Sequence, residues 1–194
     1  MLLRKNDCVN HVPPAIYDMN PSFVGGFEAG YNWQPNPFLL LGLENKIGYL
    51  HINGSYVMNP PPLGNGDTTA RTRVGNWYDA LTARVGAVSG QLMFFAEGGG
   101  VWTRVRTGVV DTTGLVTINT TTTKNVAGWA AGVGFEYAFN PNWSVKAEYL
   151  VLGINDTNNA CVQVGGFPPG TIDCNQSHYG GIQTINLALN YRFH

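Results

Sequence analysis

The sequence predicts an all-β fold: an antiparallel up-and-down transmembrane β-barrel of the eight-stranded type, with seven strands evident in 194 residues. Three observations predict it. Segments with period-two alternation of apolar and polar residues recur along the chain, the connections between them alternate short and long, and every glutamate falls on the polar face of a strand.

Composition narrows the choice first. Charged residues make up 12% of the chain, about half the usual share, while aromatics reach 12% and glycine 25 residues, a mixture suited to half-buried strands. A formal net charge of -1 offers no basic surface for a nucleic acid, so that partner is excluded. No apolar run approaches the roughly 18 residues of a membrane helix, the longest being stretches such as Phe38 to Leu41. Any membrane crossing must therefore use strands.

From 23 to 34, Phe23, Gly25, Phe27, Ala29, Tyr31 and Trp33 share one face, and Gly26, Glu28, Gly30 and Asn32 the other. Residues 38 to 52 set Leu39, Leu41, Leu43, Ile47 and Tyr49 against Gly42, Glu44, Lys46 and Gly48. A third strand, 77 to 88, sets Trp77, Leu81, Ala83 and Val85 against Thr82, Arg84 and Gly86. A fourth, 92 to 105, sets Leu92, Phe94, Ala96 and Trp102 against Glu97, Gly99 and Thr103. The fifth, 128 to 139, is the most regular: Trp129, Ala131, Val133, Phe135, Tyr137 and Phe139 alternate with Ala130, Gly132, Gly134, Glu136 and Ala138, an order no helix produces. The sixth opposes Trp143, Val145, Ala147, Tyr149 and Val151 to Ser144, Lys146, Glu148 and Leu150. The last opposes Ile185, Leu187, Leu189, Tyr191 and Phe193 to Thr184, Asn186, Asn190 and Arg192.

Tight turns are expected at 34–37, 89–91 and 140–142, and long loops at about 53–76, 106–127 and 153–181, rich in Gly, Pro, Thr and Asn. Short turns on one rim and long loops on the other is the plan of bacterial outer-membrane barrels. Three features turn the apolar face outward to lipid. Glu28, Glu44, Glu97, Glu136 and Glu148 are confined to the polar face, where a narrow lumen would pair them with Lys46, Arg84, Lys146 and Arg192. Glycines share that face, as a crowded eight-strand interior requires. Aromatics gather at strand ends, with Trp33, Trp143 and Tyr191 near the short turns and Trp77, Trp102 and Trp129 near the long loops, as two interfacial girdles.

The stretches GGFEAGYNWQ (25 to 34), FLLLGLENKIG (38 to 48), WYDALTARVG (77 to 86), FFAEGGGVW (94 to 102), GWAAGVGFEYAFNPNWSVKAEYL (128 to 150) and NLALNYRF (186 to 193) resemble the alphaproteobacterial outer-membrane β-barrel surface antigens, relatives of the opacity-type and OmpA-type barrels. The resemblance implies an integral outer-membrane protein, with outer-membrane lipid, lipopolysaccharide and the barrel-insertion machinery as partners, and Phe193 as the aromatic insertion signal. Such proteins usually end on that aromatic, whereas His194 follows here. They also begin with a signal peptide and an aromatic first strand. Residues 1–22 match neither, and are expected to form an irregular segment, the remnant of a first external loop left by a truncated gene or a misplaced start, ahead of a barrel domain at 23–194.

Cys161 and Cys174 share one Gly/Pro/Asn-rich segment, and Cys8 stands apart. Outside the cytosol the pair is expected to close a disulfide, the alternative being two unlinked thiols, since spacing alone does not fix their separation. His11, His51, His178 and His194 lie far apart, so neither a metal site nor a cofactor is expected. Gly98, Gly99 and Gly100 lack the Lys-Ser/Thr of a phosphate loop. Arg71, Arg73, Arg104 and Arg106 flank the long loops, where they meet either water or lipopolysaccharide phosphates. A lipid-modifying enzyme would need a Ser/His/acid set at the lipid interface, and His51 has no such partners, so no catalytic residue is expected. The reading is a structural surface protein that contributes to envelope integrity and displays its loops. A narrow pore, an adhesin and an enzyme are the alternatives.

Overall fold

The computed structural model describes residues 24–57, 68–111, 118–154, 157–163, 172–178 and 181–193, with 157–163 and 172–178 described as backbone. The expected N-terminal segment 1–22 lies outside the described residues.

β1 (Val24–Asn36), β2 (Leu39–Val57), β3 (Thr68–Ser89), β4 (Leu92–Asp111), β5 (Ile118–Ala138), β6 (Trp143–Gly153) and β9 (Gly181–Tyr191) form one curled sheet of seven strands in that order. Every neighbouring pair is antiparallel. β7 (Thr157–Gln163) and β8 (Ile172–His178) form a separate hairpin whose backbone lies against β4 and β5. The fold is thus the all-β up-and-down arrangement the alternation predicts. β1 and β9, the two ends of the sheet, approach each other without a shared register among the described residues. Their outward side chains have a neighbour on one side only: Phe27, Ile185 and Leu187 are 80% exposed or more.

The short turns form where expected, and side-chain caps fix them. Asn36 Oδ1 accepts from the backbone N–H groups of Phe38 and Leu39, both at 2.9 Å. Asn140 Oδ1 does the same for Asn142 and Trp143 at 3.0 and 2.8 Å. Gly90 adopts φ 61° between β3 and β4, a left-handed conformation that suits glycine.

The long loops are largely not loops. β2 runs to Val57, β3 begins at Thr68, β4 runs to Asp111 and β5 begins at Ile118, while the last long segment carries the β7–β8 hairpin. These extensions are rich in Val and Thr, β-branched residues that pack well on a pleated surface. Composition read them as irregular because their apolar residues lie on the face opposite to the one that is apolar lower down. Leu50, Ile52, Val74, Val105, Val109 and Val126 point inward and are buried, whereas Arg104, Arg106 and Thr121 point outward and are exposed. β3 breaks its register against β4 between Val74 and Tyr78, where Gly75 and Asn76 take positive φ values of 107° and 85°. A Cβ on Gly75 would stand 1.7 Å from the Leu50 carbonyl oxygen, so glycine is required there.

Candidate functional site

The interior is stacked in three levels. Leu40, Met93 and Phe95, with Val88 against them, fill the end near the short turns. At the other end Leu50, Ile52, Val74, Tyr78, Val101, Val105, Leu150 and Leu152 belong to one larger apolar cluster. Between them lies a layer of charge. Glu44, Lys46, Arg84, Glu97, Glu136, Lys146 and Glu148 are each buried, and Glu28 is half-buried at the β1 edge.

Period-two geometry builds this layer, because residues two apart on a strand share a face and each strand delivers its polar residues to the same depth. Lys146 on β6 is the hub. Its Nζ donates to Glu28 Oε2 at 2.6 Å on β1 and to Glu44 Oε1 at 2.5 Å on β2, and lies 3.2 Å from Glu148 Oε2 on its own strand. Lys46 donates to Glu97 on β4 and to Glu148 at 2.7 Å. Arg84 Nη1 stands 2.9 Å from Glu44 Oε2 and 3.4 Å from Glu136 Oε2. These contacts join β1 and β2 to β6 across the interior, so the charges hold the curl as well as fill it.

Neutral donors complete the layer. Thr82 Oγ1 donates to Glu97 Oε2 at 2.9 Å, Ser144 Oγ to Glu136 Oε1 at 2.5 Å, and Asn186 Nδ2 to Glu148 Oε1 at 3.1 Å. Arg84 Nε donates to Asn32 Oδ1 at 3.0 Å. Sequence reasoning assigned these four residues no role. Their signal was their position on the polar face, in the phase of the glutamates. Phe95 closes the layer from below, 5.5 Å from the Arg84 guanidinium carbon and 5.9 Å from Lys146 Nζ, within cation–π range. Glycine makes the room: a Cβ on Gly134 would stand 2.6 Å from the Phe95 ring, and one on Gly48 2.5 Å from the Tyr78 ring.

Carboxylate oxygens of Glu28, Glu44 and Glu148 lie within 4.8 Å of one another, close enough for a metal ion. The Lys146 ammonium already stands among all three, which gives the trio a structural account. Glu28 Oε1 is the one buried side-chain polar atom without a hydrogen-bond partner among the described residues.

Arg192 does not join the network expected of it. It lies beyond the last paired residue of β9, exposed, and its backbone N–H donates to the Asn142 carbonyl at 2.7 Å. The interior has ended at that level, so its even-numbered phase no longer points to the lumen.

An outward apolar band around an inward charged layer decides the surroundings, and the comparisons agree with it. Residues 10–193 match the family model described as the outer membrane protein beta-barrel domain. The chain belongs to that family. It is an integral outer-membrane protein. It is similar to the 31 kDa outer-membrane immunogenic proteins of Brucella melitensis biotype 1 and Brucella suis biovar 1, each 31% identical over 172 residues. The match covers 88% of this chain and 66% of each relative.

In this outer-membrane barrel the aromatic residues expected to form the two girdles lie on the outward face. Trp143 and Tyr191 meet edge-on with centroids 4.9 Å apart, and Tyr191 meets Phe193 in the same way at 4.9 Å, an aromatic row beside the short turns where Trp33 is also exposed. At the other rim Trp102 and Trp129 are about half-exposed, and the Trp129 indole lies over Gly153, where a Cβ would stand 2.1 Å from it. Trp77 is half-buried beside the β3 bulge. Cys161 and Cys174 face each other in the β7–β8 register, with their side chains outside the described residues, as is all of Cys8.

Proposed function

We propose that this barrel is a non-catalytic surface protein that anchors in the outer membrane, braces the envelope and holds its projecting end outside the cell. What supports the reading is the filled interior. An ion-pair layer lies between two apolar plugs, Leu40, Met93 and Phe95 on one side and the cluster around Leu50, Val101 and Leu152 on the other, which fill the interior among the described residues and argue against a conducting path or a substrate cleft there. The strands that continue past the Trp102 and Trp129 belt carry a polar outer face, suited to water, and support the β7–β8 hairpin. The relatives are named immunogenic outer-membrane proteins, and antibody access to the projecting end of this chain is the corresponding expectation. The aromatic row ending at Phe193 serves, on the same reading, as the signal to the barrel-insertion machinery.

Two measurements test it together. Planar bilayers containing the folded protein are expected to show no discrete conductance steps, and a regular ion current would refute the sealed interior. An epitope inserted between β7 and β8 is expected to be labelled on intact cells, and the same epitope at Gly90 only after permeabilisation. The reverse pattern would overturn the display role.

A further inference from the structure

The outer face above the aromatic belt carries a cluster of cations that the ion-pair layer does not use. Arg71 and Arg73 on β3 and Arg104 and Arg106 on β4 all point outward, and no carboxylate lies within ion-pair distance of any of them among the described residues. Arg73 and Arg106 are direct cross-strand partners. Like charges placed opposite each other repel, so the pairing costs stability unless something negative lies between them.

Three of the four guanidinium groups are held rather than loose. Arg73 Nε donates to Asn53 Oδ1 at 2.9 Å, Arg106 Nε to Thr123 Oγ1 at 3.3 Å, and Arg104 Nε to Asn125 Oδ1 at 3.3 Å. Each bond engages Nε through a neutral acceptor and, among the described residues, leaves the terminal nitrogens for a ligand. Asn53, Arg71, Arg73, Arg106, Asn119 and Thr121 line a recess of about 490 Å³ at this place.

Depth identifies the occupant. On β4, Arg104 and Arg106 follow Trp102 by two and four residues. At about 3.3 Å per residue and a tilt near 40°, they stand roughly 5 and 10 Å beyond the belt. The headgroup zone on one side of a bilayer is about 5 to 8 Å thick, so Arg104 stands within it and Arg106, with Arg73 opposite, just beyond its outer edge. Directly below the recess the same face turns apolar, through Trp102, Leu81 and Val133. Forked donors above an acyl-compatible wall fit an amphiphile with phosphate on its headgroup. We propose that Arg71, Arg73 and Arg106, with Arg104 beneath them, bind the headgroup phosphates of an outer-leaflet glycolipid whose acyl chains lie along the apolar band.

The test uses the full chain folded in neutral detergent micelles, with bisphosphorylated lipid A, dephosphorylated lipid A and inorganic phosphate as probes, and native mass spectrometry to count bound lipid. Bisphosphorylated lipid A is expected to bind. The Arg73→Gln/Arg106→Gln variant should bind it at least about tenfold more weakly, the loss of one charge-assisted hydrogen bond or more. Arg73→Lys/Arg106→Lys should fall between the two, because charge remains and the fork is lost. Arg192→Gln, at the opposite rim, should bind as the parent does. Arg104→Gln alone, expected to weaken binding less, serves if the double variant fails to fold. Undiminished binding by the glutamine variants would overturn the site. Equal binding of dephosphorylated lipid A would overturn phosphate recognition, and complete displacement of the lipid by millimolar inorganic phosphate would overturn the lipid assignment.

Discussion

The lower and upper halves of this barrel have the same backbone and opposite chemistry. Below the Trp102 and Trp129 belt, Val133 and Phe135 point outward at 57% and 45% exposure, and Lys146, inside, is 1% exposed. Above it Val105 and Val109 are fully buried inside, while Arg106 and Thr121 face out. β2, β4 and β5 run unbroken through the change, so the pleat does not set which face is apolar. The surroundings do. Lipid outside demands apolar side chains and leaves the polar ones to pair within. Water outside restores the ordinary order, in which the hydrophobic effect gathers a core. The switch in phase along these strands is thus the expected mark of the membrane boundary.

The strongest way to break the lower half is to remove its hub. Lys146→Met would leave Glu28, Glu44 and Glu148 close together without the cation that stands among them. Breaking a buried ion pair from one side costs about 3 to 5 kcal/mol. A loss of that size is expected in urea unfolding of the protein in phosphatidylcholine vesicles. Full stability would mean that the layer fills space without holding the curl.

The apolar cluster that caps the charge layer should answer to a different change, a cavity. Leu152 is 1% exposed, pairs with Ala130 in register and belongs to the apolar cluster. Leu152→Ala is expected to cost about 2 to 5 kcal/mol in the same assay. Leu43→Ala, on the outward face below the belt at 59% exposure, opens no cavity and should cost less. Equal losses would remove the distinction between a core and a lipid-facing wall.

How much of this was legible depended on contrast between the faces. At 128–139 the apolar face and the glycine and glutamate face differ at nearly every step, and the sequence segment and β5 end within one residue of each other at Ala138. In the run Thr120 to Thr123 the two faces carry the same residue, so period two leaves no trace in hydropathy, and the upper part of β5 passed for a loop. The charge layer was legible as a face but not as a set of pairs. Lys46 and Glu148 are 102 residues apart, and only closure of the sheet brings them to 2.7 Å. Arg192 shows the converse error: its phase was right, but its strand had already ended.

A smaller and more local test compares one face at two depths. Val133 and Ala127 both point outward on β5, the first in the apolar band and the second beside Trp102 in register. An arginine at the bilayer midplane costs about 2 to 4 kcal/mol and near the interface about 0 to 1. Val133→Arg and Ala127→Arg are expected to separate accordingly in vesicle unfolding. Indistinguishable values would place the boundary elsewhere.

The smallest effect is expected outside both halves, in the β7–β8 hairpin. Cys161 and Cys174 are directly paired in its antiparallel register. Residues so paired stand about 4.5 to 5.5 Å apart at Cα, inside the 4.4 to 6.8 Å range a disulfide spans. We propose that the two are linked in exported protein, with Cys8 free. Non-reduced peptide mapping should recover the peptides containing 161 and 174 as one species, and a link from Cys8 to either would sink the pairing. The hairpin belongs to a separate sheet, so its reduction should leave the urea midpoint of the barrel unchanged while speeding proteolysis between β7 and β8. A midpoint that fell on reduction would mean that the hairpin braces the upper core instead of resting on it.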